Sequence, residues 1–263
     1  QTSIYNALRS SQSSSPYYNK STDAYCYIGT EKPNHDVVIV GWDDSYSKDN
    51  FNTDLEGDGA FICQNSWGDN FGENGFFYIS YYDTNIGTHN VVYTDIENTD
   101  NYDHIYQSDL CGWVGQLGYN KGSIYGANVF TAEGNETLKA ASFYATGKDS
   151  QYELYVVRQF EDETSLEKMI PVASGKLGNA GYYTVDFNQG IEVDAGERYA
   201  VVLYIITPGS VHPMAIEYAA DEATENVDLD DGESYISANG SKWVSVDTVE
   251  KSNLCIKAFS DNR

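Results

Sequence analysis

The sequence predicts a mainly β protein, its second part an antiparallel β-sandwich of the jelly-roll kind. Three observations carry this. Short apolar segments recur along the chain, each bounded by Gly, Asp or Asn clusters. No stretch shows a convincing helical period. Tyrosine, a good strand residue, occurs 23 times in 263 residues, as often as glycine.

Residues 1–9 lack the charged start and apolar centre of a signal peptide, so the chain is expected to open as though cut from something longer. The serine-rich stretch 10–16 reads as a surface loop. Strands are expected at 37–40, 60–63 and 76–82, with the polar stretch 43–59 as a long exposed loop. The texture turns polar at 98–103, which puts a domain boundary at about residue 98 and gives segments 1–97 and 98–263. Beyond it, strands are expected at 127–131, 138–144, 152–158, 182–187, 198–206, 214–218 and 254–259. Turns are read at Asn188-Gln189-Gly190, Asp194-Ala195-Gly196 and Asn239-Gly240. Many short strands joined by such turns argue for a sandwich or jelly roll.

Charge narrows the function. There are 40 acidic and 15 basic residues, a formal charge of −25, which argues against a nucleic-acid-binding surface. Residues 1–95 hold 13 acids and 4 bases, so the excess is spread along the chain and is not a tail. It reads as a device for solubility, or for calcium-rich or salty surroundings. No apolar run approaches the ~18 residues that a membrane span needs. Four cysteines are too few for a disulfide scaffold. The composition suits a secreted protein.

One constellation carries chemistry. His35 stands at the mouth of the apolar run Val37-Val38-Ile39-Val40, followed by Gly41-Trp42. Thirty residues on, Phe61-Ile62-Cys63-Gln64 leads into Asn65-Ser66-Trp67-Gly68, and then comes Phe71-Gly72-Glu73-Asn74-Gly75-Phe76. A histidine entering one strand and an asparagine leaving the next can meet at one end of an antiparallel sheet. The Asn oxygen can then accept the imidazole N–H and fix the tautomer. A tryptophan two residues later can cover the bond and exclude water.

In these three co-linear motifs the chain resembles the papain-like cysteine peptidases, whose parent fold is α+β. The resemblance implies that His35 is the general base and acid, Asn65 its orienting partner and Trp67 the shield. Asp36 departs from the family pattern, where a small residue is usual, and Phe71 stands where tryptophan is common. The nucleophile has no candidate. Cys26 lies nine residues before His35 in no recognisable helix start, Cys63 reads as packing, and Cys111-Gly112-Trp113 follows the histidine instead of preceding it. The resemblance therefore covers only the His- and Asn-bearing, β-barrel-like second lobe. It implies a partner, the N-terminal lobe that carries the cysteine. The chain alone is expected to be inactive.

The second segment resembles, in Gly122-Ser123-Ile124-Tyr125-Gly126 and Ala195-Gly196-Glu197-Arg198-Tyr199 among other runs, the lectin-like domain that follows the peptidase domain in some bacterial secreted and cell-wall-associated cysteine peptidases. The resemblance implies the C-terminal part of a secreted endopeptidase acting on protein or peptide substrates at a cell-wall or glycan surface. Tyrosines of a jelly roll could stack on sugar rings, or could simply fill sandwich faces. The alternative function is a non-catalytic carbohydrate or cell-surface binding protein with a pseudo-peptidase lobe. Catalysis would need no cofactor. A structural calcium ion is expected in the second segment, with Asp228, Asp230 and Asp231 as candidate ligands, while Asp54-Leu55-Glu56-Gly57-Asp58-Gly59 reads as a plain Asp-Gly turn. Cys111 and Cys255 could pair, and the sequence leaves that open. No zinc-peptidase, dinucleotide or P-loop motif is present.

Overall fold

A computed structural model of the chain describes residues 16–263, except Asn34, His89, Asp95 and the side chain of Asp247. The expectations for residues 1–15 lie outside the described residues. The chain folds as two compact units that divide between Val92 and Tyr93.

Among the described residues the first unit forms a five-stranded sheet. Its strands are β1 (Tyr18–Asn19), β2 (Ala24–Tyr25), β3 (Val38–Asp43), β4 (Ala60–Gln64) and β5 (Phe76–Ser80), in the order β1-β2-β5-β4-β3. Only β2 and β5 run parallel. Strand alternation sorts the side chains onto two faces. Tyr25, Tyr27, Cys63, Phe77 and Ile79 pack together on one, and Ala24, Cys26 and Ala60 on the other. The connection 43–59, expected to be wholly exposed, sends Phe51 and Leu55 into that second cluster. Two apolar anchors in a polar stretch leave no periodicity to read. At the edge of the sheet β3 exposes Val38, Ile39, Val40 and Trp42, the last at 69%.

The second unit is a sandwich. Its strands are β6 (His104–Tyr106), β7 (Gly115–Leu117), β8 (Ser123–Thr131), β9 (Glu136–Ala145), β10 (Ser150–Val157), β11 (Ile170–Leu177), β12 (Gly181–Val193), β13 (Arg198–Ile206), β14 (Met214–Glu217), β15 (Ser234–Ser237), β16 (Val244–Ser245), β17 (Asn253–Leu254) and β18 (Ile256–Asn262). A six-stranded sheet, β11-β10-β13-β8-β15-β16, and a four-stranded sheet, β12-β9-β18-β6, share one core, and a short sheet β17-β14-β7 contributes to it. Ile124, Leu154, Leu203 and Ile205 from the first meet Leu138, Phe143 and Ile256 from the second, all buried. Every ladder in the unit is antiparallel.

β13 reads as a nearly unbroken apolar run because both of its faces are covered. Tyr199, Val201, Leu203 and Ile205 enter the shared core, while Ala200 and Val202 lie under Phe160 and Leu166 of the β10–β11 connection. A strand buried on both sides loses its alternation.

Three expectations are corrected. Asn188-Gln189-Gly190 is not a turn but part of a bulge inside β12: Asp186 pairs with Ala140 and Ile191 with Leu138, so four residues loop out opposite one. The single strand expected at 254–259 breaks at Cys255 and serves two sheets. β11 was not expected at all, since Pro171 and Gly175 interrupt it; it is an edge strand, where proline is tolerated. The turn at Asp194-Ala195-Gly196 forms as read, with the Glu197 N–H on the Asp194 carbonyl at 2.9 Å and Gly196 at φ +78°.

One buried carboxylate ties the end of the sandwich together. Glu136 is fully buried and accepts from the Tyr106 hydroxyl at 2.7 Å, the Gly134 N–H at 2.8 Å and the Ser260 hydroxyl. Burial alone would raise its pKa, but the hydroxyls of Ser260 and Tyr106 and the Gly134 amide hold it below the ordinary carboxylate value. A carboxylate lowered in the fold stabilises above its unfolded pKa, and that stability is lost as pH falls through the folded value. Glu136→Gln is therefore expected to cost about 1–2 kcal/mol in neutral thermal melts and much less in strong acid. An equal loss at both pH values would refute this account.

Candidate functional site

β3 and β4 run antiparallel with Val38 opposite Gln64, so the residues just before β3 and just after β4 share one end of the sheet. That register brings His35 and Asn65 together: Nε2 of the imidazole lies 2.9 Å from Oδ1 of the amide. The same oxygen accepts the Ser66 N–H at 2.8 Å, which fixes the amide orientation, because a backbone N–H needs an acceptor there. An amide oxygen can only accept, so Nε2 carries the ring proton and Nδ1 the lone pair. The Asn65 backbone is pinned in turn by its N–H on the Gly75 carbonyl at 3.0 Å.

Trp67 lies over the imidazole, ring centres 5.0 Å apart and planes 31° apart, and is 37% exposed. Phe71 meets Trp67 edge-on at 5.5 Å and Phe77 edge-on at 5.3 Å, so it buttresses the shield from the core side. The loop that returns this aromatic to the sheet needs glycine at position 72. Its φ is +56°, and a Cβ there would stand 2.1 Å from the Phe76 carbonyl oxygen. Asn65 is 6% exposed, and its amide nitrogen is buried with no partner among the described residues. Leaving that donor unmet costs about 1–3 kcal/mol, which packing alone does not explain.

None of the four cysteines sits where its thiolate is favoured. All are free, so the open question of a Cys111–Cys255 bond is answered in the negative. Cys26 and Cys63 are buried, and burial pushes each thiol up to about 12, with Asp83 adding to it. Burial raises Cys255 as well, with Asp109 adding, and Cys111 is raised by desolvation and by Glu217. A nucleophilic cysteine needs the opposite shift.

In the second unit the aspartate trio separates. Asp230 is exposed and pairs with Lys251 at 2.7 Å, and the Asp228 carboxylate turns back onto the Asp230 N–H. Among the described residues no three His, Cys, Asp or Glu side chains converge. Asp231 and the Asp228 backbone do converge, on Asn253. Its side-chain nitrogen lies 2.7 Å from the Ser108 carbonyl, 2.9 Å from the Asp228 carbonyl, 3.0 Å from a Glu217 oxygen and 3.2 Å from an Asp231 oxygen. An amide nitrogen has two hydrogens and cannot satisfy four oxygens. With the amide turned over, its oxygen would complete a five-oxygen cage with two carboxylates, the donor set a hard cation takes. Gly232 leaves the room: a Cβ there would lie 2.5 Å from Asn253 Oδ1 and 3.1 Å from Ser108 Oγ. Burial pushes the Asp231 carboxyl up, with Asp228 and Glu217 adding to it. Glu217, Asn253 and Ser108 escaped the sequence reading because they lie far from the acidic run and two of them carry no charge.

Comparison with known proteins agrees with this layout. Residues 3–96 match the papain family of cysteine proteases, and residues 105–260, more than half of the chain, match the lectin-like domain family. Among solved structures, the chain resembles the clostridial cysteine protease Cwp84 after propeptide cleavage, at 28% identity and a TM-score of 0.81, covering 100% of this chain and 68% of that one. It also resembles the cysteine protease and lectin-like domains of Cwp84, a surface-layer-associated protein of Clostridium difficile, at 27% identity and a TM-score of 0.76, covering 95% and 57%. No curated protein matches the sequence. The chain belongs to the lectin-like domain family, and its lectin-like unit follows part of a papain-family cysteine protease domain.

Proposed function

We propose that the first unit supplies the proton-transfer half of a thiol peptidase, in which His35 takes the proton from a cysteine and returns it to the leaving amine. The observation that carries this is the His35–Asn65 hydrogen bond at 2.9 Å beneath Trp67. Asn65 holds the tautomer and orientation, and Trp67 keeps water from competing for the bond. The thiolate comes from a cysteine-bearing lobe, since the four thiols of this chain are all shifted away from reactivity. The substrate is a protein or peptide. The working place is outside a bacterial cell, at its wall or surface layer; the likeness to Cwp84, itself surface-layer associated, supports this setting. The lectin-like unit holds the enzyme against surface glycan. A calcium ion would be held by the Asp231 and Glu217 carboxylates, the Asn253 amide and the Ser108 and Asp228 carbonyls, where it would neutralise the two carboxylates and take no part in catalysis.

The chain by itself is expected not to hydrolyse peptides under reducing conditions. Turnover of a fluorogenic peptide that a thiol-reactive epoxide abolishes would overturn that. The raised thiols also fit the second reading, a surface-binding protein with a pseudo-peptidase lobe. An upstream reading frame carrying Gln…Cys-Gly-x-Cys-Trp favours the enzyme, and a serine at that cysteine favours the binding protein.

A further inference from the structure

We infer that the outer face of the six-stranded sheet, at Tyr204, binds an uncharged sugar. This rests on the glycan-binding reading above and gives it an address.

The outward residues of β13 divide that face in two. Ala200 and Val202 are roofed by Phe160 and Leu166, whereas Tyr204 and Ile206 are not part of that cluster. Tyr204 stands directly opposite Glu153 on β10 and Tyr125 on β8. Its ring stacks on Tyr125 at 4.2 Å and 21°, and Tyr125 is braced edge-on by Trp243 at 6.2 Å. Gly240 lets the β15–β16 turn close against this pair, since a Cβ there would meet the Tyr125 ring at 3.1 Å. The aromatic floor is thus held rigid from behind.

Beside it lies an open depression of about 520 Å³ lined by Gln151, Glu153, Ser174, Lys176, Tyr204 and Ile206. That volume falls within the ~300–1,000 Å³ of ordinary small-ligand sites. Alternation points Gln151 and Glu153 outward on β10, and the register sets Lys176 and Ser174 opposite them on β11. The Glu153 carboxylate is fixed by the Tyr155 hydroxyl, and Lys176 is paired with Asp149 at 3.1 Å. An apolar floor rimmed by an amide, a hydroxyl, a carboxylate and an ammonium matches a pyranose, which presents a C–H face and a ring of hydroxyls. Glu153 and Asp149 outweigh Lys176, and the chain carries −25, so an anionic sugar would be repelled. A second aromatic row, Trp113, Tyr144 and Tyr182, has rings tilted by 54° and 57° and serves as a control.

The test titrates the full chain, by calorimetry and intrinsic fluorescence, with cello-, malto-, manno- and chito-oligosaccharides and with polygalacturonate as the anionic probe. At least one neutral oligosaccharide is expected to bind. Tyr204→Ala, and separately the rim double variant Gln151→Ala with Glu153→Ala, are expected to weaken it about tenfold or more, with Tyr182→Ala unchanged. The rim variant alters only exposed side chains, so it removes contacts without threatening the fold. Neutral binding that survives both variants overturns this site and leaves the glycan reading standing. Binding of polygalacturonate alone overturns the uncharged ligand. Failure of every oligosaccharide and of bacterial wall fragments to bind overturns both the site and the glycan reading.

Discussion

Joined to a papain-type lobe that carries the cysteine, the chain is expected to turn over peptides, and His35→Ala is expected to lower kcat/KM by roughly 10³-fold or more. The imidazole must take the thiol proton before attack and return it to the leaving amine, so its loss removes both steps. Nδ1 is the nitrogen left with the lone pair once Nε2–H is committed to Asn65, and it is the atom that must face the thiol. Asn65→Ala is expected to act on the reaction through His35, and also frees the Ser66 N–H. The ring then rotates and samples both tautomers, so kcat falls about 10- to 100-fold while KM stays put. The rate of thiol alkylation should fall in parallel while the melting temperature holds, which separates the effect from loss of folding. Stability should change little, because the substitution also removes a buried amide nitrogen that has no partner among the described residues. Retention of activity within about twofold in His35→Ala would refute the assignment.

The sequence made the meeting of His35 and Asn65 legible because one strand register decides it. With His35 before one strand and Asn65 after its antiparallel neighbour, pairing Val38 with Gln64 leaves them nowhere else to go. The strands of the sandwich were legible where one apolar run lies in one sheet, as in β13. They were not where the chain breaks a local rule for a tertiary reason. The bulge in β12 uses turn residues without turning, and Cys255 passes one apolar run from one sheet to another. Phe51 and Leu55 show the same limit in the first unit, where a long polar connection is held by two side chains that no period announces. The acidic loop is a different case. Residue type pointed to Asp228, Asp230 and Asp231, whereas backbone direction decides that one offers its carbonyl, one its carboxylate and one faces solvent.

That decision sets the last expected result: calcium should raise the melting temperature of the chain, and chelation should lower it. Four oxygens share one amide nitrogen, and Asp231 is held above its ordinary pKa by burial, with Asp228 and Glu217 adding. A carboxylate raised in the fold weakens it as pH climbs from the unfolded toward the folded value, so in chelator the charged Asp231 costs stability at neutral pH. Asp231→Asn should therefore be neutral or slightly stabilising in chelator. With calcium the sign reverses, because the ion prefers the charge that desolvation and the neighbouring carboxylates resist. At a calcium concentration about 100 times the Kd the gain is about 2.7 kcal/mol, and a unit of this size then melts roughly 5–10 °C higher. Asp231→Asn and Glu217→Gln should each remove most of that gain, while Asp230→Asn, which alters only an exposed ion pair, should keep it. Differential scanning calorimetry of the four proteins, in calcium and in chelator, decides the matter. A melting temperature indifferent to calcium would mean that Asn253 holds the four oxygens as an amide and that the aspartates are a solvated loop. A calcium response lost in Asp230→Asn and kept in Asp231→Asn would move the ion to the rim, where the sequence alone would have put it.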